Sequence, residues 1–124
     1  MKTFNIQIKA EKLVGYVYTA TNKSPKKLRC DIIPMLRLAV QDVLNNIIKA
    51  NHYRIDDQKE FEKRKEYQQE ALIKLRILEA NSEICTNMKY LTDKQLEVIS
   101  RLSQELYDMI VNWTKSDLNR CTTE

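Results

Sequence analysis

Residues 91–96, Leu-Thr-Asp-Lys-Gln-Leu, carry a complete helix-start signal. Thr92 has the side chain of an N-cap, Gln95 follows three residues later as in a capping box, and Leu91 and Leu96 have the spacing of a hydrophobic staple. The apolar residues that follow recur mostly at intervals of three and four and end at a tryptophan: Leu96, Ile99, Leu102, Leu106, Met109, Ile110 and Trp113. This period predicts a long helix with one buried face and a polar tail that frays from Lys115.

A second capping signal lies at the start of the preceding predicted helix. Asp57 has Glu60 three residues later, so we expect a helix from about Asp57 to residue 88. Its first turns are charged, and Glu60–Arg64 and Glu70–Lys74 have the spacing of i,i+4 ion pairs. From residue 71 onward it becomes apolar, with Leu72, Ile73, Leu75, Ile77, Leu78 and Ile84.

Another helix is predicted to start at Ser24, as N-cap, and Pro25, at the first helical position, and to run to about residue 51. Pro34 leaves two alternatives: the helix bends there, or a short turn at 25–31 precedes the main helix with Asp31 as a second cap. One apolar stripe comprises Ile33, Leu36, Val40, Val43, Leu44 and Ile47. It is widened by Ile32, Met35, Ala39 and Ile48, so we expect burial on more than one side.

The first helix is predicted from about Ala10 to Thr21. Residues 4–10 alternate between apolar and polar, which fits a short strand, an arm or an irregular helix start, and the sequence does not choose among them. Gly15 falls inside the helix, where we expect it to permit close packing.

Turn residues are scarce in this chain of 124 residues, which has one glycine and two prolines. β-Hairpins and glycine-rich phosphate loops need residues that tolerate positive φ, so this composition disfavours both. It favours long helices joined by short loops. The predicted fold is therefore all-α, an up-down-up-down antiparallel four-helix bundle in a single domain spanning 1–124. We expect an ordered core over about 10–117, with 1–9 and 118–124 as candidates for a flexible arm and tail.

The charge is concentrated at one end. The chain has 21 basic and 17 acidic residues, and residues 1–30 hold seven basic residues and one acidic residue. Such a basic segment favours an acidic partner, with nucleic acid as the first candidate and a solvated lysine-rich surface as the alternative. The candidate contacts near the start of the second helix are Lys23, Lys26, Lys27 and Arg29. Further candidates, for nucleic acid or a polymerase, are Arg37, Arg54, Lys74 and Arg76, each with a structural ion pair as the alternative.

Catalytic and metal-binding patterns are missing from the sequence. His52 is the only histidine, and Cys30, Cys85 and Cys121 are widely spaced. We therefore expect no catalytic site, no metal and no cofactor, and a thiol-dependent activity at Cys85 is a distant alternative. Reduced thiols favour a cytoplasmic location, and no apolar run is long enough to predict a signal segment or a membrane span.

The predicted apolar faces of the second and third helices are wider than a single small bundle can bury. A homo-oligomer would cover the surplus surface, and it would repeat the basic segment so that weak phosphate contacts act together.

Several short motifs, spread over about residues 13–117, resemble one known family. They are Tyr16-Val17-Tyr18, Ser24-Pro25-Lys26-Lys27, Leu75-Arg76, the 91–95 helix start, Ser103-Gln104-Glu105-Leu106 and Val111-Asn112-Trp113. In order and spacing they are similar to the accessory variability proteins (Avd) of diversity-generating retroelements. This resemblance implies a four-helix bundle that assembles into a homopentameric barrel. It also implies binding to the reverse transcriptase and to RNA or DNA, in support of mutagenic retrohoming, with no enzymatic activity of its own.

A related set of four-helix bundles is encoded in ribosomal-RNA intervening sequences, and their role is obscure. A protein of that type, or a purely structural interaction subunit without nucleic-acid binding, is the alternative function.

Overall fold

Four helices make up the part of the chain that the computed structural model describes, residues 4–23 and 32–122, and no strand occurs there. The helices are α1 Asn5–Asn22, α2 Ile32–His52, α3 Gln58–Asn87 and α4 Asp93–Thr122. The all-α prediction is confirmed for these residues.

Both capping signals form as predicted. The backbone N–H of Glu60 donates to Asp57 Oδ1 at 3.0 Å and starts α3. At the start of α4 the capping box closes in both directions: the Gln95 N–H donates to Thr92 Oγ1 at 3.0 Å, and the Thr92 N–H donates to Gln95 Oε1 at 2.9 Å. Each bond satisfies a backbone donor that a helix or its cap would otherwise leave open.

The turn between α3 and α4 is made without glycine. Lys89 has a φ of 67°, and its N–H donates to the Thr86 carbonyl oxygen at 3.0 Å. The next N–H, of Tyr90, donates to the Cys85 carbonyl at 2.8 Å. A left-handed residue after the last helical turn ends the helix by satisfying its open carbonyls, a position that glycine usually takes.

One predicted boundary differs from the structure, because the tail predicted to fray from Lys115 is helical to Thr122. Of the three alternatives for residues 4–10, the helix start is observed. Here α1 begins at Asn5, and the ring of Phe4 packs edge-on against Trp113 with centroids 5.0 Å apart. Pro34 lies within α2, and the predicted caps at Ser24, Pro25 and Asp31 lie outside the described residues.

The helices form a closed ring, in which α1 packs against α2, α2 against α3, α3 against α4, and α4 against α1. Within the described residues the backbones of diagonally opposite helices, α1 with α3 and α2 with α4, do not approach each other closely. Between α2 and α3, residue 42 contacts residue 74 and residue 49 contacts residue 67; between α3 and α4, residue 64 contacts residue 117 and residue 76 contacts residue 107. In both pairs of helices the partner's number falls as the first number rises, so the helices are antiparallel. The predicted bundle is therefore observed.

All four helices contribute to one hydrophobic core. Its largest fully buried apolar side chains are Leu13, Ile33, Leu36, Ile47, Leu75, Leu78, Ile99, Leu106 and Ile110. The expected widening of the buried face of α2 is wrong for Met35 and Ile48, which are 59% and 44% exposed. Consequently α2 keeps an apolar surface that this chain does not cover.

The position of Gly15 corrects another expectation. It is exposed in the middle of α1, and a Cβ built there would meet no atom within 4 Å, so the glycine does not permit close packing within this chain.

We expect Gly15→Ala to raise the free energy of unfolding by about 0.5–1 kcal/mol, because alanine loses less backbone entropy in a helix. Urea denaturation measures this. A loss of stability or of assembly would contradict it and would place another chain against this surface.

Candidate nucleic-acid interface

The structure distributes the predicted contact residues over different parts of the bundle. Lys26, Lys27 and Arg29 lie outside the described residues. Lys23 and Arg37 lie at the α1–α2 corner, while Arg54 follows the far end of α2. Since α2 has 21 residues, these two ends are about 30 Å apart. Lys74 lies in the α2–α3 groove, and Arg76 lies between α3 and α4.

Arg37 is held in place by neutral groups of α1. Its Nε donates to Thr21 Oγ1 at 2.9 Å, its Nη2 donates to Asn22 Oδ1 at 2.7 Å, and its Cζ lies 4.9 Å from the centroid of the Tyr18 ring. None of these partners carries a negative charge. Within the described residues the Arg37 cation is therefore fixed in position without being neutralised.

Lys23 extends the positive charge of this corner. It is the exposed C-cap residue of α1, and the chain then continues into the segment that contains Lys26, Lys27 and Arg29. A positioned guanidinium suits phosphate oxygens, because it supplies both charge and N–H donors, and the sequence after Lys23 supplies three more cations. We name Lys23 and Arg37 the basic corner.

The other three described candidates have carboxylate partners. Arg54 Nη2 contacts Asp56 Oδ2 at 2.5 Å, which lowers the pKa of the Asp56 carboxyl group through this hydrogen bond. Lys74 and Arg76 lie 3.6 Å from carboxylate oxygens of Asp42 and Glu79, and the Arg76 guanidinium also lies 4.2 Å above the Tyr107 ring. Their charges are partly balanced locally, as the structural alternative anticipates. The i,i+4 pair predicted between Glu70 and Lys74 is not observed, since Lys74 reaches across to α2.

A buried polar cluster joins α3 and α4, and the sequence did not predict it. Arg64 Nε and Nη2 donate to the two carboxylate oxygens of Asp117 at 2.7 and 3.1 Å, and Gln68 Nε2 donates to the same carboxylate at 2.8 Å. Arg64 also donates to the Tyr53 carbonyl oxygen at 2.9 Å, and its Cζ lies 5.0 Å from the Trp113 ring centroid. The expected Glu60–Arg64 pair is therefore replaced by a contact between helices.

A signal for this cluster was present in the spacing. Asp117 continues the α4 core stripe, four residues after Trp113, and Arg64 and Gln68 continue the α3 stripe towards its N-terminus. Extending both stripes through polar residues would have placed all three inside the bundle.

An exposed apolar surface runs along α2 and α3. We define the α2–α3 apolar face as Met35, Leu38, Ile73, Ile77, Ile84 and Met88, each between 40% and 62% exposed. Its α3 members follow intervals of four and seven, close to a coiled-coil seam and offset from the residues that fill the core. Monomeric proteins rarely expose such a stripe, which makes this face a candidate interaction surface.

Nucleophilic and metal chemistry have little support in the described residues. Cys85 is fully buried, and burial raises the pKa of its thiol to about 11, so at neutral pH it stays protonated and is a poor nucleophile. Residues 4–23 and 32–122 contain no group of three or more His, Cys, Asp or Glu side chains that could hold a metal ion. No helix among them is both long enough and apolar enough to cross a membrane.

The fold and surface together define an all-α bundle with a basic corner and an uncovered apolar face. No family model matches the chain, and no curated protein matches it significantly.

Proposed function

We propose that this protein is a non-catalytic accessory protein of a diversity-generating retroelement, similar to the Avd proteins. In this role it binds RNA or DNA together with the reverse transcriptase and supports mutagenic reverse transcription and retrohoming in the cytoplasm. The four-helix architecture is the one that the sequence resemblance implies, and the surface carries features suited to both kinds of partner.

The basic corner is the observation that carries the proposal. Arg37 is positioned by Thr21, Asn22 and Tyr18, none of which neutralises it, and Lys23 is exposed beside it. Lys26, Lys27 and Arg29 follow within the next six residues. Four cations within residues 23–29, together with Arg37, offer a contact to several phosphates at once.

The α2–α3 apolar face supports the second part of the proposal, which is assembly. A homo-oligomer would bury this face, and the resemblance implies a pentamer. Five copies of the basic corner on one particle would bind a nucleic acid more tightly than one copy, because later contacts form at high effective concentration. The reverse transcriptase then needs only to dock on the particle.

Charge reversal tests the nucleic-acid contact. We expect the triple variant Lys26→Glu, Lys27→Glu, Arg29→Glu to lose at least about 100-fold in affinity for a single-stranded RNA or DNA oligonucleotide. The slope of log K against log salt should become shallower by about 2, since three phosphate contacts are removed. Fluorescence anisotropy at several salt concentrations measures both, with circular dichroism and light scattering to show that helicity and oligomer mass are unchanged.

A matched control makes the same change of charge elsewhere. Lys94, Arg101 and Lys115 are exposed along α4, and their replacement by Glu should leave most of the binding intact. Unchanged binding in the 26/27/29 variant, or an equal loss in the α4 variant, would contradict the assignment.

A second candidate function is favoured by the apolar face alone: a structural interaction subunit, or a protein of the intervening-sequence type, without nucleic-acid binding. Salt-dependent binding distinguishes the two, because a contact to phosphate must weaken steeply as salt rises. A reverse-transcriptase gene and a near-duplicate variable repeat beside the coding sequence would support the retroelement role.

A further inference from the structure

Three aromatic rings meet where α2 passes into α3. The rings of Tyr53 and Tyr67 are stacked, with centroids 5.8 Å apart and planes 9° from parallel. His52 approaches the Tyr53 ring edge-on at 5.1 Å. His52 is exposed and both tyrosines are half-buried. Among the described tyrosines, Tyr16 and Tyr107 pack against the hydrophobic core, but these two do not, so core packing does not explain their position.

A cleft of about 400 Å³ opens beside these rings. His52 and Tyr53 form part of its wall, and the other main lining residues are Arg54, Asp56, Arg64 and Arg120. Its volume is within the range of small-ligand sites. Unlike most such sites its lining is largely polar, with three arginines and one carboxylate.

The arginines of this cleft differ in how far they are engaged. Arg64 is buried and paired with Asp117, so its charge is balanced inside the bundle. Arg54 is paired with Asp56 through one guanidinium nitrogen, but its side chain is 69% exposed, which leaves other donors facing solvent. Further charge lies nearby, since Lys49 Nζ is 5.5 Å from the Tyr67 ring centroid. The cleft therefore joins aromatic surface to positive charge.

We propose that this cleft holds one nucleotide of a single-stranded nucleic acid, with its base against the rings of Tyr53 and His52 and its phosphate on Arg54. Stacking on protein aromatics requires an unpaired base, because the bases of a duplex are already stacked on one another. The proposal rests on the nucleic-acid binding proposed above and adds a second contact, roughly 25 Å along α2 from Arg37 of the basic corner, that selects single strands.

Tyr53 substitutions test the stacking directly. Tyr53→Leu should weaken binding of a labelled oligothymidylate of about 20 nucleotides by about tenfold, the effect of losing one base–aromatic stack. Tyr53→Phe keeps the ring and should bind like the wild type. Binding of a duplex of the same length should be equal in all three proteins. His52→Ala, at an exposed position that the fold does not need, should lower single-strand binding severalfold.

Tyr107→Leu is the matched control, because it also removes a half-buried tyrosine ring, but one that lies between α3 and α4 and does not line the cleft. It should leave single-strand binding unchanged. Thymidine monophosphate should compete only weakly, since it offers one stack without the contact at the basic corner.

Each outcome decides a different claim. If the wild type binds no nucleic acid, the proposed function fails and this inference fails with it. If the wild type binds the oligothymidylate and the variants Tyr53→Leu and His52→Ala bind it as tightly as the wild type does, only the inference is overturned. It is also overturned if duplex binding falls in parallel, or if the mononucleotide binds as tightly as the oligonucleotide.

Discussion

Asp117→Ala should lower the free energy of unfolding by about 3–5 kcal/mol, the loss expected when one partner of a buried ion pair is removed. The Arg64 side chain is only 9% exposed, and without the carboxylate its charge would be uncompensated inside the bundle. The Gln68 side-chain N–H donates to the same carboxylate and would lose this hydrogen bond, while its Oε1 already has no hydrogen-bond partner among the described residues. Urea or guanidinium denaturation measures the loss, which is a large share of the 5–15 kcal/mol typical of a small domain.

Two companion variants define the cause. Asp108→Ala removes an exposed carboxylate from the same helix, and we expect a change within about 0.5 kcal/mol. The double variant Arg64→Met, Asp117→Leu replaces the pair by apolar side chains and should recover much of the stability, because no charge is then buried. A small effect of Asp117→Ala, or no recovery in the double variant, would show that the pair is not buried as described.

Leu38→Glu combined with Ile77→Glu should abolish the proposed assembly through the α2–α3 apolar face and leave a monomer at micromolar concentration. Both side chains line the groove between α2 and α3, and they are 62% and 40% exposed, so a single chain accommodates the carboxylates in solvent. A second copy packed on this face would bury those charges without partners, at a cost that assembly does not offset. Light scattering should then give the 14.7 kDa mass of one chain in place of a severalfold larger one.

Leu118→Glu is the corresponding control. Leu118 is 46% exposed on α4, away from the α2–α3 apolar face, and the variant should keep the wild-type mass. A wild-type protein that is already monomeric at micromolar concentration, or a double variant of unchanged mass, would contradict the role given to this face. Circular dichroism separates loss of assembly from loss of folding.

Local signals in the sequence predicted the helices well where caps were present. Asp57 with Glu60, and Thr92 with Gln95, form the predicted hydrogen bonds, since a capping box involves only residues three apart. Where a cap was lacking, as before α1, alternation over 4–10 could not be distinguished from a helix face. The burial of Ile6 and the contact between Phe4 and Trp113 show how that segment packs.

The candidate site was less predictable. Sequence identified basic residues that interrupt apolar stretches, but it could not tell which of them would find a carboxylate. Lys74 meets Asp42 across a groove, whereas the partners of Arg37 in the part of the chain that the structure describes are neutral groups on α1. The corner aromatics were missed for a similar reason, because Tyr53 and Tyr67 stack only after α2 and α3 are laid side by side.

The sequence by itself determined the all-helical architecture, the cap residues that start α3 and α4, and the concentration of positive charge in the first 30 residues. These properties depend on neighbours within a few positions and on composition. Tertiary structure alone decided which apolar stripe is buried, which cations are neutralised and where rings meet. Arg64 and Asp117 show the reason: they are 53 residues apart, and their hydrogen bonds exist only because antiparallel packing brings the start of α3 against the end of α4.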